Sequence, residues 1–277
     1  MPLHKHFMEL AGQRLAFVMR GEGRRNVLCL PGALGSVETD FGPQLEPEAP
    51  GALSTSKLDL IAWDPPGYGH SRPPERKFSR DYFAQDARVA ARLLETQGIE
   101  NYDLLGWSDG GITALFLAHQ QPARVQSLVI WGANAFVDEQ DKTIYRSLSN
   151  VDAWSERMRA PFVAVYGEAR FRALWAEWVE AIIAVAEGGS GGNICRDLLP
   201  QIHQPTLILH GAKDPVVPSH HPQFLADALP NAKLVVHPEG KHNLHLRYPE
   251  WFKEQVEEFL MSLPDQPISE HEEQAKL

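Results

Sequence analysis

The sequence predicts an α/β protein in which helices flank a mostly parallel central sheet. Short apolar runs alternate with longer segments of helical periodicity along most of the chain. Near-continuous apolar runs bounded by Gly, Pro and Asp are typical of strands that helices cover on both faces. Because strand and helix patterns repeat in alternation, we expect an open α/β sheet.

Six segments carry this strand pattern. They are residues 26–32, 58–64, 102–108, 125–133, 205–212 and 232–240. Helical periodicity marks residues 79–98 and 112–121, which lie between them, and Gly98 is placed to stop the first of these helices.

One long segment, residues 134–200, interrupts the alternation because it has little strand pattern and several helical stretches. Four of its residues are spaced to share one helical face: Phe171, Trp175, Trp178 and Ile182. Such a stripe is more typical of core packing than of a face that covers a pocket. We predict a helical cap inserted between two strands of a core formed by residues 1–133 and 201–263. Residues 264–277 are polar and are expected to form a flexible tail.

The composition limits the partners. The 277 residues include 26 Lys or Arg and 36 Asp or Glu, a net charge of -10, and no basic cluster. Neither nucleic acid nor a membrane is therefore expected as a partner. The N-terminus lacks the apolar stretch of a signal peptide, which favours a cytoplasmic protein. Cys29 and Cys195 lie far apart and are expected to remain free thiols.

Residues 106–111, GWSDGG, place Ser108 in a G-x-S-x-G motif between an apolar strand and a helix. A strained turn from strand to helix lifts such a serine above the sheet, and glycines let the chain pass closely. The motif would arise by chance in about one chain in ten of this length, so the flanking strand and helix carry the prediction. Ser108 is the candidate nucleophile.

A serine nucleophile needs a histidine base and an orienting acid, which follow it in that fold in the order Ser, acid, His. Asp214 follows the strand pattern at 205–212, and His242 follows the pattern at 232–240. Taken singly, an Asp before Pro often only starts a turn, and a loop His is often only solvated. The three together predict a catalytic triad, with Asp138 as the alternative acid.

An oxyanion hole needs two backbone N–H groups. The residue after the nucleophile, Asp109, supplies one, and Ala33 or Leu34 in the loop LPGALGS supplies the other. No H-E-x-x-H or Cys/His spacing is present, so neither a metal nor another cofactor is predicted.

Five segments carry a family resemblance: GWSDGGITALFLAH, VIWGANAFV, GNICRDLLP, HGAKDPVVP and PEGKHNLHLR. In this order they resemble the α/β-hydrolase superfamily and, within it, the valacyclovir hydrolase-like serine esterases of α-amino acid esters. The likeness runs from about residue 26 to 260. It implies an α/β-hydrolase fold with Ser108 as nucleophile, Asp214 as orienting acid and His242 as base. It also implies that Asp109 receives the α-ammonium group of the substrate.

The mammalian members of that family carry an organelle-targeting N-terminal extension that this sequence does not show, so the cytoplasm remains the expected location. The resemblance of this sequence to the family also implies a small-molecule ester with a free α-amino group as the substrate. The oligomeric state stays open, with a monomer favoured.

The acidic residue beside the nucleophile has a physical meaning. A carboxylate about 4 Å from a developing oxyanion raises the barrier by on the order of 1–4 kcal/mol, unless the substrate brings a positive charge. Alternatively, Asp109 caps the following helix, whose dipole favours a negative charge. The sequence thus predicts a cofactor-independent hydrolase of amino acid esters that works through an acyl-enzyme. A carbon–carbon bond hydrolase or other carboxylesterase of the same fold and a non-catalytic binding protein are the alternatives.

Overall fold

The computed structural model describes residues 3–10, 12–188 and 190–266. Eight strands of these residues form one sheet. They are β1 (His6–Leu10), β2 (Gln13–Arg20), β3 (Arg25–Leu30), β4 (Leu58–Asp64), β5 (Tyr102–Trp107), β6 (Val125–Trp131), β7 (Thr206–Gly211) and β8 (Ala232–His237). The strand order is β1-β2-β4-β3-β5-β6-β7-β8, and only the pairs β1–β2 and β2–β4 are antiparallel. The mostly parallel sheet is confirmed, and the six predicted strands correspond to β3–β8.

Helices connect and cover these strands. They are α1 (Val37–Leu45), α2 (Tyr82–Thr96), α3 (Asp109–Gln120), α4 (Glu139–Leu148), α5 (Glu156–Tyr166), α6 (Glu168–Glu187), α7 (His220–Ala228), α8 (Leu244–Arg247) and α9 (Pro249–Ser262). The helix predicted at 112–121 begins earlier, at Asp109, so that it follows Ser108 directly.

Both faces of the sheet are covered. Along β3, Leu28 and Leu30 join the core cluster that contains residues of α2 and α3, whereas Cys29 joins the cluster of α1 and α9. The alternation follows from the strand period of two residues. Since either direction leads into a core, the central strands are apolar at nearly every position.

The segment between β6 and β7 contains α4, α5 and α6, which we call the cap. All four residues of the apolar stripe on α6 are buried. The two ends of this segment meet, because the N–H groups of Ile194 and Cys195 both donate to the carbonyl oxygen of Ala135. A further bridge pairs Phe136 with Asn193. The cap therefore leaves and rejoins the core at one place.

A buried ionic cluster lies at the amino ends of the central strands. The Asp103 carboxylate accepts hydrogen bonds from Arg25 Nη1 at 2.8 Å, Ser127 Oγ at 2.6 Å and Gln266 Nε2 at 2.8 Å. Arg25 also donates to the carbonyl oxygen of Pro264. Residues 264–266 of the predicted tail thus lie against the sheet, and residues 267–277 are outside the described part.

Cys29 and Cys195 are both buried free thiols, and burial raises the pKa of each. Over the residues that the structure describes, none of the helices has the length and apolar character to cross a membrane.

We expect Arg25→Met to lower the free energy of unfolding by about 3–5 kcal/mol, because it leaves the Asp103 carboxylate buried without its cation. Urea unfolding followed by circular dichroism measures the change. Arg24→Met is the matched control, since Arg24 is exposed and next in sequence. Equal small effects of the two substitutions would contradict this account of the cluster.

Candidate active site

Ser108 occupies a sharp turn between β5 and α3. Its φ is +55° and its ψ is -120°, a conformation that residues with a side chain rarely adopt. The Ser108 N–H donates to the carbonyl oxygen of Trp131 on the neighbouring strand at 2.9 Å. Such backbone strain costs on the order of 1–3 kcal/mol and persists where the surrounding structure determines the turn.

Two glycines let α3 approach the sheet at this turn. A Cβ atom on Gly110 would lie 2.0 Å from the carbonyl oxygen of Leu30, and one on Gly106 would lie 2.6 Å from that of Gly110. The first turn of α3 therefore rests directly on the backbone at the end of β3. This contact explains why the motif requires glycine on both sides of Ser108.

The structure brings Ser108, His242 and Asp214 together. His242 Nε2 lies 3.1 Å from Ser108 Oγ, and His242 Nδ1 lies 2.9 Å from Asp214 Oδ2. Asp214 Oδ1 accepts the N–H groups of Val216 and Val217. Burial raises the pKa of Asp214, but the charge of His242 and these hydrogen bonds outweigh it and hold the pKa below its usual value. The arrangement can transfer a proton from the serine to an oriented imidazole.

The imidazole of His242 fits because of its neighbours. Gly132 has a φ of +58°, and a Cβ atom there would lie 2.9 Å from His242 Cε1. Trp107 Nε1 donates to the carbonyl oxygen of His242 at 2.9 Å and so ties the histidine loop to the end of β5. Gly132 directly follows β6, so the position of the ring depends on the ends of two strands.

The predicted oxyanion loop lies beside Ser108. A Cβ atom on Gly32 would lie 3.4 Å from Ser108 Cβ, and Ala33 and Leu34 follow in the chain. Leu34 has a φ of +57°. Leu34 and Ser108 are the two residues other than glycine that have a positive φ in the described chain. The Gly32 N–H donates to Asp40 Oδ2 at 2.8 Å, and burial raises the pKa of Asp40 to about 7.

Asp109 lies between the core and the cap. Its Oδ2 accepts a hydrogen bond from Trp178 Nε1 at 2.8 Å and one from the Tyr82 hydroxyl at 3.3 Å. Burial raises the pKa of Asp109 to about 6, although the Trp178 bond, the charge of Arg76 and the Tyr82 bond each lower it. This carboxylate is 8% exposed, so any charge on it is poorly solvated.

These contacts bear on the helix-capping interpretation of Asp109. The N-cap of α3 is Ser108, and it makes no side-chain capping hydrogen bond. The Asp109 side chain bonds to Trp178 and Tyr82 and not to N–H groups of α3. The position in the first turn still favours a negative charge through the helix dipole, but the carboxylate does not act as a cap.

A small cavity of about 10 Å³ lies beside Asp109, enough for about one water molecule. Arg76 and Asp86 also line it, joined by two hydrogen bonds of 2.7 Å between their terminal nitrogens and oxygens. Tyr82, Arg76 and Asp86 were not among the site residues predicted from the sequence. No local pattern distinguishes them from other polar or aromatic positions near α2.

Within the described part of the chain, two groups have donor atoms suited to a metal ion. In the first, the ligand-type atoms of Asp138, Asp141, His220 and His221 all lie within 4.8 Å of one another. Both carboxylates already accept N–H groups in a capping box at the start of α4. Asp138, the alternative acid of the sequence analysis, is thus a helix cap. The second group is Glu38, Asp64 and His70, and neither includes Ser108, His242 or Asp214.

Comparison with known proteins defines the class. The family model described as alpha/beta hydrolase fold matches residues 25–176 and 147–249, so the chain belongs to this family. The predicted resemblance to the α/β-hydrolase superfamily and its fold is thereby confirmed.

The chain is also similar to particular serine hydrolases. Serine hydrolase BPHL from Mus musculus and from Homo sapiens are each 47% identical over 249 residues, which is 90% of this chain and 84% of theirs. A solved structure of the meta-cleavage product hydrolase CumD from Pseudomonas fluorescens IP01 has a TM-score of 0.73 at 18% identity, over 94% of this chain and 98% of that one. The latter match shows the fold, and the former show that the protein is a serine hydrolase enzyme.

We expect Gly110→Ala to lower the free energy of unfolding by about 1–3 kcal/mol and to reduce ester turnover, because the methyl group forces α3 away from β3. Thermal unfolding and a chromogenic ester assay measure both effects. Gly42→Ala in α1 is the matched control, since a Cβ atom there has no neighbour within 4 Å. Gly42→Ala should stabilise the protein by about 0.5–1 kcal/mol. A Gly110→Ala enzyme as stable and active as the Gly42→Ala enzyme would refute the close-contact argument.

Proposed function

We propose that this serine hydrolase cleaves α-amino acid esters through an acyl-enzyme and needs no cofactor. The observation that carries the proposal is the buried carboxylate of Asp109, placed directly after Ser108. A carboxylate in this position opposes the formation of an oxyanion by charge repulsion. A substrate with its own ammonium group pairs with the carboxylate, so that the same charge contributes to substrate binding.

Acylation begins with attack of Ser108 Oγ on the ester carbonyl while His242 Nε2 takes the hydroxyl proton. The carbonyl oxygen becomes an oxyanion, which the N–H of Asp109 and that of Ala33 or Leu34 stabilise. When the tetrahedral intermediate collapses, the C–O bond to the alcohol breaks and His242 protonates the departing oxygen. The aminoacyl group then remains as an ester of Ser108.

Deacylation repeats these steps with water. His242 Nε2 removes a proton from a water molecule, which attacks the acyl carbonyl, and the same N–H groups hold the second oxyanion. Collapse breaks the bond to Ser108 Oγ, which recovers its proton from His242, and the amino acid leaves. Throughout, Asp214 keeps the Nδ1 proton of His242 in place and stabilises the imidazolium.

The α-ammonium group is one carbon away from the scissile carbonyl, so it lies within reach of the side chain that follows the nucleophile. Asp109 Oδ2 is occupied by Trp178 and Tyr82, whereas Oδ1 accepts no hydrogen bond from the described residues. An ammonium group can therefore bind at Oδ1 and compensate the buried charge.

A carbon–carbon bond hydrolase is the competing activity within the fold. 2-Hydroxymuconate semialdehyde hydrolase from Pseudomonas sp. (strain CF600) is 28% identical over 236 residues, 76% of this chain and 79% of that protein. The hydroxymuconate part of that substrate name denotes a carboxylate, which is an anion at neutral pH. The like charge of Asp109 would repel it. This repulsion favours an amino ester over such an anionic compound as the substrate of this chain.

We expect Ser108→Ala to reduce kcat for an amino acid benzyl ester by about 10⁴-fold or more, the loss typical of removing a triad member. Unfolding should change little, because the strain of the turn lies in the backbone. The exposed Ser147 of α4 provides a Ser→Ala control. More than a tenth of wild-type kcat in the Ser108→Ala enzyme would remove Ser108 as the nucleophile.

The substrate proposal is tested with Asp109→Asn and two esters, an α-amino acid benzyl ester and its N-acetylated form. Loss of one partner from a desolvated charge pair should reduce kcat/KM for the free amino ester by a factor that corresponds to about 2–4 kcal/mol of lost transition-state binding. The N-acetylated ester should lose little or improve, because repulsion toward the oxyanion disappears while the backbone N–H remains. Equal fractional losses for both esters would reject recognition of the ammonium group.

A further inference from the structure

The Asp109 carboxylate is held from two sides. Trp178 belongs to α6 of the cap and Tyr82 to α2 of the core, and both donate to the same oxygen, Oδ2. Trp178 is 4% exposed and Tyr82 is 3% exposed, so water does not compete for these hydrogen bonds. Two donors on Oδ2 restrict how the carboxylate can turn, and they leave Oδ1 without a hydrogen-bond donor among the described residues.

The cap reaches the oxyanion loop through a different residue. Tyr166, the last residue of α5, donates its hydroxyl to the carbonyl oxygen of Leu34 at 2.8 Å and accepts the N–H of Gly69 at 2.9 Å. Leu34 is the loop residue with positive φ. The contact of Tyr166 therefore restrains the peptide unit next to the candidate oxyanion donors.

We infer that Trp178 and Tyr82 are positioning residues for recognition of the substrate ammonium by Asp109, and that Tyr166 is a positioning residue for the oxyanion loop. The inference rests on the proposed function, since it assigns to the cap a part in reading the substrate charge. It distinguishes two polar contacts of the cap, that of Trp178, which acts on selectivity, and that of Tyr166, which acts on every ester.

The charged and titratable surroundings of Asp109 support this division. Arg76 is the opposite charge nearby, but it is paired to Asp86, whose like charge acts against it. Tyr68, Tyr82 and Tyr145 face the carboxylate, and burial raises the pKa of each hydroxyl, so all three stay neutral. Besides the charge of Arg76, the direct hydrogen bonds from Trp178 and Tyr82 are thus the contacts through which a single substitution changes the pKa of Asp109.

The sign of the pH effect follows from this. Recognition of an ammonium needs Asp109 ionised, so it is present above the pKa of Asp109 and is lost as the pH falls through it. Loss of a hydrogen bond to the carboxylate raises that pKa further. The acid limb of kcat/KM for the amino ester should then move to higher pH. Effects of pH on the steps that all esters share are common to amino and non-amino esters, so they cancel in the ratio of the two.

The experiment compares three Phe variants: Tyr82→Phe, Trp178→Phe and Tyr166→Phe. The two Tyr→Phe changes are matched, because each removes one buried hydroxyl and keeps the ring. The quantity measured is the ratio of kcat/KM for an amino acid benzyl ester to that for its desamino analogue. It is measured from pH 5 to 8, a range that begins below the pKa of about 6 for Asp109 and extends above it. Thermal unfolding checks that each variant is folded.

We expect the ratio at pH 6.5 to fall by about three- to tenfold in Tyr82→Phe and by about tenfold or more in Trp178→Phe, because the tryptophan bond is the shorter. The acid limb should move upward for the amino ester only. Tyr166→Phe should lower kcat for both esters and leave their ratio within about twofold of wild type.

Two failures are distinguishable. If the wild-type enzyme itself does not prefer the amino ester, the proposed function fails and this assignment fails with it. If the wild-type preference exists but persists in both Tyr82→Phe and Trp178→Phe, or if both esters lose activity equally, Asp109 does not depend on these donors and the inference alone is overturned. A ratio that falls equally in Tyr166→Phe would also overturn the division between the two cap contacts.

Discussion

The site depends on how closely the first turn of α3 approaches the end of β3. Gly110 lies against the carbonyl oxygen of Leu30 with no room for a side chain, and this contact determines where the chain must turn. Ser108 adopts a positive φ because the chain must turn sharply between the end of β5 and the start of α3. The same contact places the Gly32 loop next to the serine. The candidate nucleophile and the candidate oxyanion loop are thus positioned by the same backbone contact, as expected for a pre-organised site.

That packing also creates an electrostatic conflict. In the proposed mechanism the residue after Ser108 offers its N–H to a developing negative charge, and in this chain that residue carries a carboxylate of its own. The side chain of Asp109 leaves the helix start and ends between α2 and α6, where Tyr82 and Trp178 satisfy one oxygen. A poorly solvated carboxylate beside the reaction centre is costly, and in the proposed function a cation of the substrate offsets that cost. A substrate ammonium is the cation that the proposed chemistry supplies.

The sequence predicts the parts of this structure that have a local signal. Strands β3–β7 are apolar at most positions since both faces are buried, and their pattern is visible without the fold. The hairpin of β1 and β2 was missed, because β1 is an edge strand whose side chains are mostly exposed or half-buried and carry no apolar run. Ser108, Asp214 and His242 were identifiable because each follows a strand. Tyr82 and Tyr166 were not, because they reach the site across tertiary contacts that no spacing records.

Trp178 shows where the two kinds of information meet. The helical stripe predicted a buried tryptophan, and the ring does pack at 4.7 Å from Trp175 and at 5.6 Å from Tyr145, measured between centroids. The pattern contains no sign of the indole N–H, which donates to Asp109. Since this donor belongs to a buried ring, Trp178 contributes to core packing and to the hydrogen bonding of Asp109 with one side chain. Core packing of the cap and the environment of the Asp109 charge therefore cannot vary independently. A change that shifts α6 on its apolar face also moves the donor, so in the proposed function the packing of the cap contributes to selectivity for the charge of the substrate.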